Sequence, residues 1–144
     1  NSGVLHLFEG GTDLGDSILR EDDAWAHYEF GNGAQEPTSI RLVGDWSGDG
    51  VSEIGVGQAS SGAGGGTLFI ISPDTPGVHD ADDSYSVIEG DTDYHNVNYG
   101  SNLSSRPGDY NGDGAVDLIV GDYGYGDAAA GMERAGSIFV TYGN

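Results

Sequence analysis

Fourteen residues of this chain occur twice in closely related form. GDWSGDGVSEIGVG (44–57) and GDYNGDGAVDLIVG (108–121) are identical at seven of fourteen positions, at an offset of 108 − 44 = 64 residues. Each is an acidic, glycine-rich bend that turns abruptly into an apolar run. A chain built on such a duplication forms its core by setting copies of one supersecondary unit against each other, because a single copy cannot bury its own apolar face.

The surroundings repeat in the same order. An aromatic–glycine pair precedes each bend, Phe30-Gly31 and Tyr99-Gly100, and a glycine-led apolar run follows, GTLFII (66–71) and GSIFVT (136–141). The chain also opens on such a run, GVLHLF (3–8), so the spacings are 66 − 3 = 63 and 136 − 66 = 70 and the repeat is about 65 residues long. The runs are short, rich in β-branched and aromatic residues, and punctuated by many of the 27 glycines. They predict strands near 3–8, 16–21, 38–43, 53–57, 66–72, 84–89, 102–105, 117–121 and 136–142. The one helical candidate, 127–134, is interrupted by Gly131 and is long enough for a single turn. The expected fold class is all-β, with antiparallel four-stranded sheets in a single module over 1–144: a first repeat at 3–65, a second at 66–135, and an extra strand at 136–144 that starts a third.

The bends carry oxygen at alternate positions. Counting from the first aspartate, positions 1, 3, 5 and 9 are Asp45, Ser47, Asp49 and Glu53 in the first loop, and Asp109, Asn111, Asp113 and Asp117 in the second. Position 6 is Gly50 or Gly114, which permits a sharp bend, and the carbonyl at position 7, Val51 or Ala115, can turn inward with the side chains. All-oxygen ligation with three carboxylates suits a hard cation at about 2.3–2.6 Å, so the expected cofactor is Ca²⁺ at two sites rather than zinc, copper or the stricter, more hydrated magnesium. Without an ion the carboxylates repel one another. A solvated Asp-Gly turn is the bland reading of either loop alone; duplication in register favours the cation. An EF-hand needs a glutamate at position 12 and flanking helices, whereas position 12 here is Val56 or Val120 inside a strand-like run.

Charge narrows the partners. Twenty-four acids against four basic residues, all arginine, give a net charge of −20, which repels phosphate backbones and anionic membranes. No nucleic acid and no membrane insertion are expected, since no run approaches the roughly 20 apolar residues of a span. Absence of cysteine excludes a disulfide framework, a thiol nucleophile and a Cys-based zinc site. The opening NSGVLHLFEGG lacks the basic start and apolar centre of a signal peptide, so a secreted form is expected to be processed or to be an excerpt of a longer chain.

These residues resemble the FG-GAP repeats that build the β-propeller of integrin α subunits and of many microbial surface proteins. The likeness rests on the aromatic–Gly element, on the D-x-[NS]-G-D-G-x-x-[DE] loop, on Val56-Gly57 and Val120-Gly121 after it, and on the G-x-[IL]-F-[IV] strand. The family's Ala-Pro is absent, with Gln58-Ala59 and Asp122-Tyr123 in its place. The resemblance implies four-stranded blades, Ca²⁺ between the first two strands of each, and an extracellular or cell-surface protein used in adhesion or assembly. With strands named A to D, the chain reads C-D, A-B-C-D, A-B-C: about two blades, incomplete at both ends, against the roughly four to eight that close a propeller. Unpaired edges are templates for another chain, so a homo-oligomer, ring or filament formed by sheet completion is expected, alongside a surface glycan or protein ligand.

The remaining features point less sharply. Asn102-Leu103-Ser104 fits an N-glycosylation acceptor. The acidic stretches at 80–84 and 90–93, with Asp74, read as solvated loops, and His6, His27, His79 and His95 show no metal-ligand spacing. Trp25, Trp46, Tyr110, Tyr123 and Tyr125 are candidates for a sugar-binding face, though such residues more often pack. No catalytic constellation stands out, so a non-enzymatic role is expected. The alternative is the scaffold of a secreted carbohydrate-active enzyme or a carbohydrate-binding propeller.

Overall fold

The structure is a computed structural model that describes residues 3–11, 18–31, 37–59, 65–90, 99–104, 106–126, 130–132 and 134–143. It is all-β. Ten strands, β1 (Gly3–Leu7), β2 (Ala26–Phe30), β3 (Ser39–Gly44), β4 (Glu53–Gln58), β5 (Thr67–Ile71), β6 (Gly77–Asp80), β7 (Ser86–Glu89), β8 (Asn102–Leu103), β9 (Leu118–Asp122) and β10 (Ser137–Thr141), are accompanied by two single 3₁₀ turns, Glu21–Asp23 and Ala81–Asp83. They form three open sheets, ordered β1-β2-β6, β3-β4-β5-β7 and β10-β9-β8. No helix among the described residues is long and apolar enough to cross a membrane.

The middle sheet is antiparallel throughout and lies between the other two, which explains the sequence of β5. Thr67–Ile71 is buried at every position. Its Leu68 and Ile70 point to one side, into a cluster with Val43, Trp46, Tyr99, Leu103, Leu118 and Val120. Phe69 and Ile71 point to the other, with Ala26, Tyr28, Phe30 and Val56. A strand buried on both faces is apolar without alternation, as TLFII is. The equivalent run SIFVT in β10 has only one covered face, and Ile138 there is 75% exposed.

β4 shows why glycine alternates in EIGVG. Ile54 and Val56 face the first sheet, and the other face carries Gly55 and Gly57, over which the last sheet closes. A Cβ on Gly57 would collide with the carbonyl of Gly100, and a Cβ on Gly55 would stand 3.1 Å from Leu103 Cδ1. The seam is tied by Ser39 Oγ, which donates to the Gly100 carbonyl at 2.8 Å. Within the two sheets that meet there, Thr38 Oγ1 and Ser101 Oγ donate to the Gly57 and Gly121 carbonyls at 3.2 Å each.

Several expectations are corrected. The strand read at 16–21 is not one over 18–21, where Glu21 opens a 3₁₀ turn, and 16–17 lie outside the described residues; the partner of β1 is instead β2 at 26–30, paired antiparallel with Leu5 opposite Tyr28. That strand was hidden because AHYEF mixes polar outward residues with a buried Ala26-Tyr28-Phe30 face. β6 was not anticipated: it pairs parallel to β2 and has only four residues, too few for a periodic signal. The strand near 84–89 begins at Ser86, and the turn read at 127–134 is not helical over 130–132 or at 134, the rest lying outside the described residues.

Gly57→Ala is expected to cost about 3 kcal/mol, because backbone rather than a pliable side chain blocks the new methyl group. Urea denaturation of the variant against the parent measures it.

Candidate metal centre

The first acidic loop links β3 to β4, the second follows β8 and leads into β9, and they fold alike. In each, the position-9 carboxylate is fully buried and one of its oxygens accepts the N–H groups of positions 2 and 3. Glu53 Oε2 takes Trp46 N at 2.6 Å and Ser47 N at 3.1 Å; Asp117 Oδ2 takes Tyr110 N at 2.7 Å and Asn111 N at 3.3 Å. The position-1 carboxylate accepts from the glycine at position 6, Gly50 N to Asp45 Oδ2 at 3.0 Å and Gly114 N to Asp109 Oδ2 at 2.9 Å. The position-5 carboxylate accepts from position 7, Val51 N to Asp49 Oδ1 at 2.7 Å and Ala115 N to Asp113 Oδ1 at 2.8 Å. Val51 and Ala115 thus enter the loops through their N–H groups. Both bends need glycine at position 4 as well as 6: φ is 78° and 92° at Gly48 and Gly50, and 83° and 92° at Gly112 and Gly114.

The loops then diverge. In the second, Asp109 Oδ1 also accepts Gly112 N and Asp113 N at 2.6 and 3.1 Å, and Asp117 Oδ1 accepts Gly143 N at 3.1 Å. Asn111 donates its amide to Asp113 at 2.7 Å and accepts Asp113 N at 2.9 Å. The backbone N–H of Ala115, and after it the side-chain amide of Asn111, hold the Asp113 carboxyl below its ordinary value of 3.8. Negative charge in this loop is answered by N–H groups.

In the first loop one carboxylate oxygen is left without a donor. Asp45 Oδ1 is shielded from solvent and has no hydrogen-bond partner. Ser47, which cannot supply an amide, turns its hydroxyl to Glu53 Oε1 at 2.9 Å. Asp45, Asp49 and Glu53 each bring an oxygen within 4.8 Å of the others, the one such carboxylate trio among the described residues. Two oxygens sharing a calcium ion at about 2.4 Å lie at most about 4.8 Å apart, so the trio could hold such an ion. The second loop, closer to the family pattern, does not converge in this way; Asp109, Asp113 and Asp117 face separate donors.

Beside the first loop lies a cavity of about 470 Å³. Ser47 and Asp49 line it together with Tyr28, Asp74, His79 and Tyr85. Tyr28 stacks on His79 with ring centres 4.8 Å apart, and its hydroxyl donates to the Ser72 carbonyl at 3.1 Å. Burial raises the Tyr28 hydroxyl above its ordinary 10.0, and the charge of Asp74 adds to the rise.

Three of the aromatic residues named as candidates for a sugar face have other contacts. Trp46 is in the core, Tyr125 packs edge-on against Phe139, and Tyr110 donates its hydroxyl to the Arg106 carbonyl at 2.6 Å. Asn102 is exposed on β8. His6 and His27, 21 residues apart, stand opposite each other on β1 and β2 with Nδ1 atoms 2.9 Å apart. Only strand pairing could reveal that.

Asp117→Ala strands the N–H groups of Tyr110, Asn111 and Gly143 and is expected to cost about 3 kcal/mol, with Asp117→Asn losing less because one oxygen is kept. Urea midpoints of both variants test this. Comparison with family models, curated proteins and solved structures finds no match to this chain.

Proposed function

We propose that this chain is a calcium-stabilised, non-enzymatic module of FG-GAP-type propeller repeats that works outside the cell or at its surface, tethering or building. The observation that carries the reading is the buried, donorless Asp45 Oδ1 beside Asp49 and Glu53. A carboxylate oxygen removed from water without a donor is costly, and a cation is the partner that relieves both that cost and the repulsion within the trio. Ser47 and the Val51 carbonyl complete the first ligand set. Asp109, Asn111, Asp113, the Ala115 carbonyl and Asp117 make a second set that must release internal N–H bonds to bind, so its affinity is the lower. The ion's role is to pin the turn between two strands and fix their register.

Assembly follows from the edges. Among the described residues, β5 has β7 along its outer side, whereas its counterpart β10 ends its sheet with Ile138 and Tyr142 exposed, and β1 ends the first sheet with Val4 and Phe8 partly exposed. Neighbouring sheets, from other copies or from further blades, complete these layers.

Saturating Ca²⁺ is expected to raise the melting temperature by about 8 °C over protein in excess EDTA, the shift produced by a ligand at about one hundred times its Kd. Asp45→Asn should abolish most of that shift, while Asp109→Asn removes a smaller part. Identical melting curves with and without calcium overturn the proposal.

The cavity favours a second reading, a glycan-binding module. Aromatic walls with hydroxyl and carboxylate acceptors are what a neutral sugar needs, and Tyr85, 58% exposed, offers a ring face for stacking. Neutral glycans on an array should bind, and Tyr85→Ala should lose them without a change in melting temperature.

A further inference from the structure

We propose that His6 and His27 form a cross-strand site for a divalent transition metal, Cu²⁺ foremost. The two residues are directly opposite on β1 and β2, their rings 4.8 Å apart and nearly perpendicular at 82°. At an Nδ1–Nδ1 distance of 2.9 Å, two lone pairs cannot face each other, so one nitrogen carries a proton and donates to the other. A proton held between two imidazole nitrogens marks a place where a metal can replace it.

The observed 2.9 Å is the length of the N–H···N bond itself, and it brings both nitrogens within reach of one ion with metal–nitrogen bonds of about 2.0 Å. Copper(II) leads because it binds imidazole more tightly than the other divalent first-row metals do. Chelation then asks each ring to swing its lone pair off the line between the nitrogens, which the broad imidazole torsion allows on a half-buried pair. Protons balance: the imidazole that held its proton at Nδ1 carries it at Nε2 once the metal is bound, and none is released between neutral rings.

The surroundings suit a cation. β2 buries Ala26, Tyr28 and Phe30 and turns His27 and Glu29 outward, so Glu29 shares the face of the histidine pair and lies one step along it. Register places Glu29 opposite Val4 and beside Asp80 of β6. His6 also lines a cavity of about 470 Å³ with Glu9 and Trp25, which leaves room for water or a ligand group in the open coordination positions. This site lies on the first sheet and uses no residue of the acidic loops.

Copper(II) alone, titrated into the full chain with Ca²⁺ in excess to fill the oxygen sites, tests the proposal. Electron paramagnetic resonance of the one-to-one complex is expected to show coupling to two imidazole nitrogens. His6→Ala and His27→Ala should each weaken binding by about tenfold or more and reduce the coupled nitrogens, with Glu29→Gln giving a smaller loss. An oxygen-only spectrum from the parent protein, which needs no variant to fold, overturns the site, as does unchanged copper affinity in either folded histidine variant.

Discussion

The buried carboxylate at the ninth position of each acidic loop is the contact on which the rest of the structure depends. Glu53 and Asp117 are both 0% exposed, yet each stands at the point where a loop becomes a core strand. Burying such a group is costly unless it is hydrogen-bonded, and each meets that condition by gathering the N–H groups of positions 2 and 3. The loop is thereby closed onto the strand that follows. In the second copy the same residue also accepts Gly143 N, so the segment after β10 is fastened to the start of β9. Replacing glutamate with aspartate between the two copies leaves this pattern intact, because the longer side chain reaches the same pair of N–H groups.

From that fixed point the apolar strands project into the layers between sheets. β4 and β9 follow the loops directly, and their inward residues, Val56 in one and Leu118 and Val120 in the other, lie in the two clusters on opposite sides of the middle sheet. Close approach of the last sheet requires bare backbone at Gly57. Gly57 is therefore a packing residue, and the Ser39 hydroxyl, bonded to the Gly100 carbonyl, ties the seam it allows.

Two loops with nearly the same backbone differ in how their charge is met. The second satisfies its carboxylates internally; the first leaves Asp45 Oδ1 without a donor and draws three acids together. Asn111 brings an amide that donates to Asp113, whereas Ser47 has a single proton and directs it to Glu53.

The duplicated fourteen residues determined a great deal by themselves: an all-β chain, the two bends with their glycines and position-9 acids, and most strands, because each is a local consequence of turn chemistry and of short apolar runs. The β2 strand and the parallel β6 escaped, since their pairing depends on surfaces distant in the chain and their residues carry no periodic signal of their own. Tertiary structure alone decided which acids converge, that Tyr28 and His79 share a cavity wall, and that His6 meets His27. The reason is that spacing along a chain fixes which groups can share a turn, whereas register between strands fixes which groups can share a ligand.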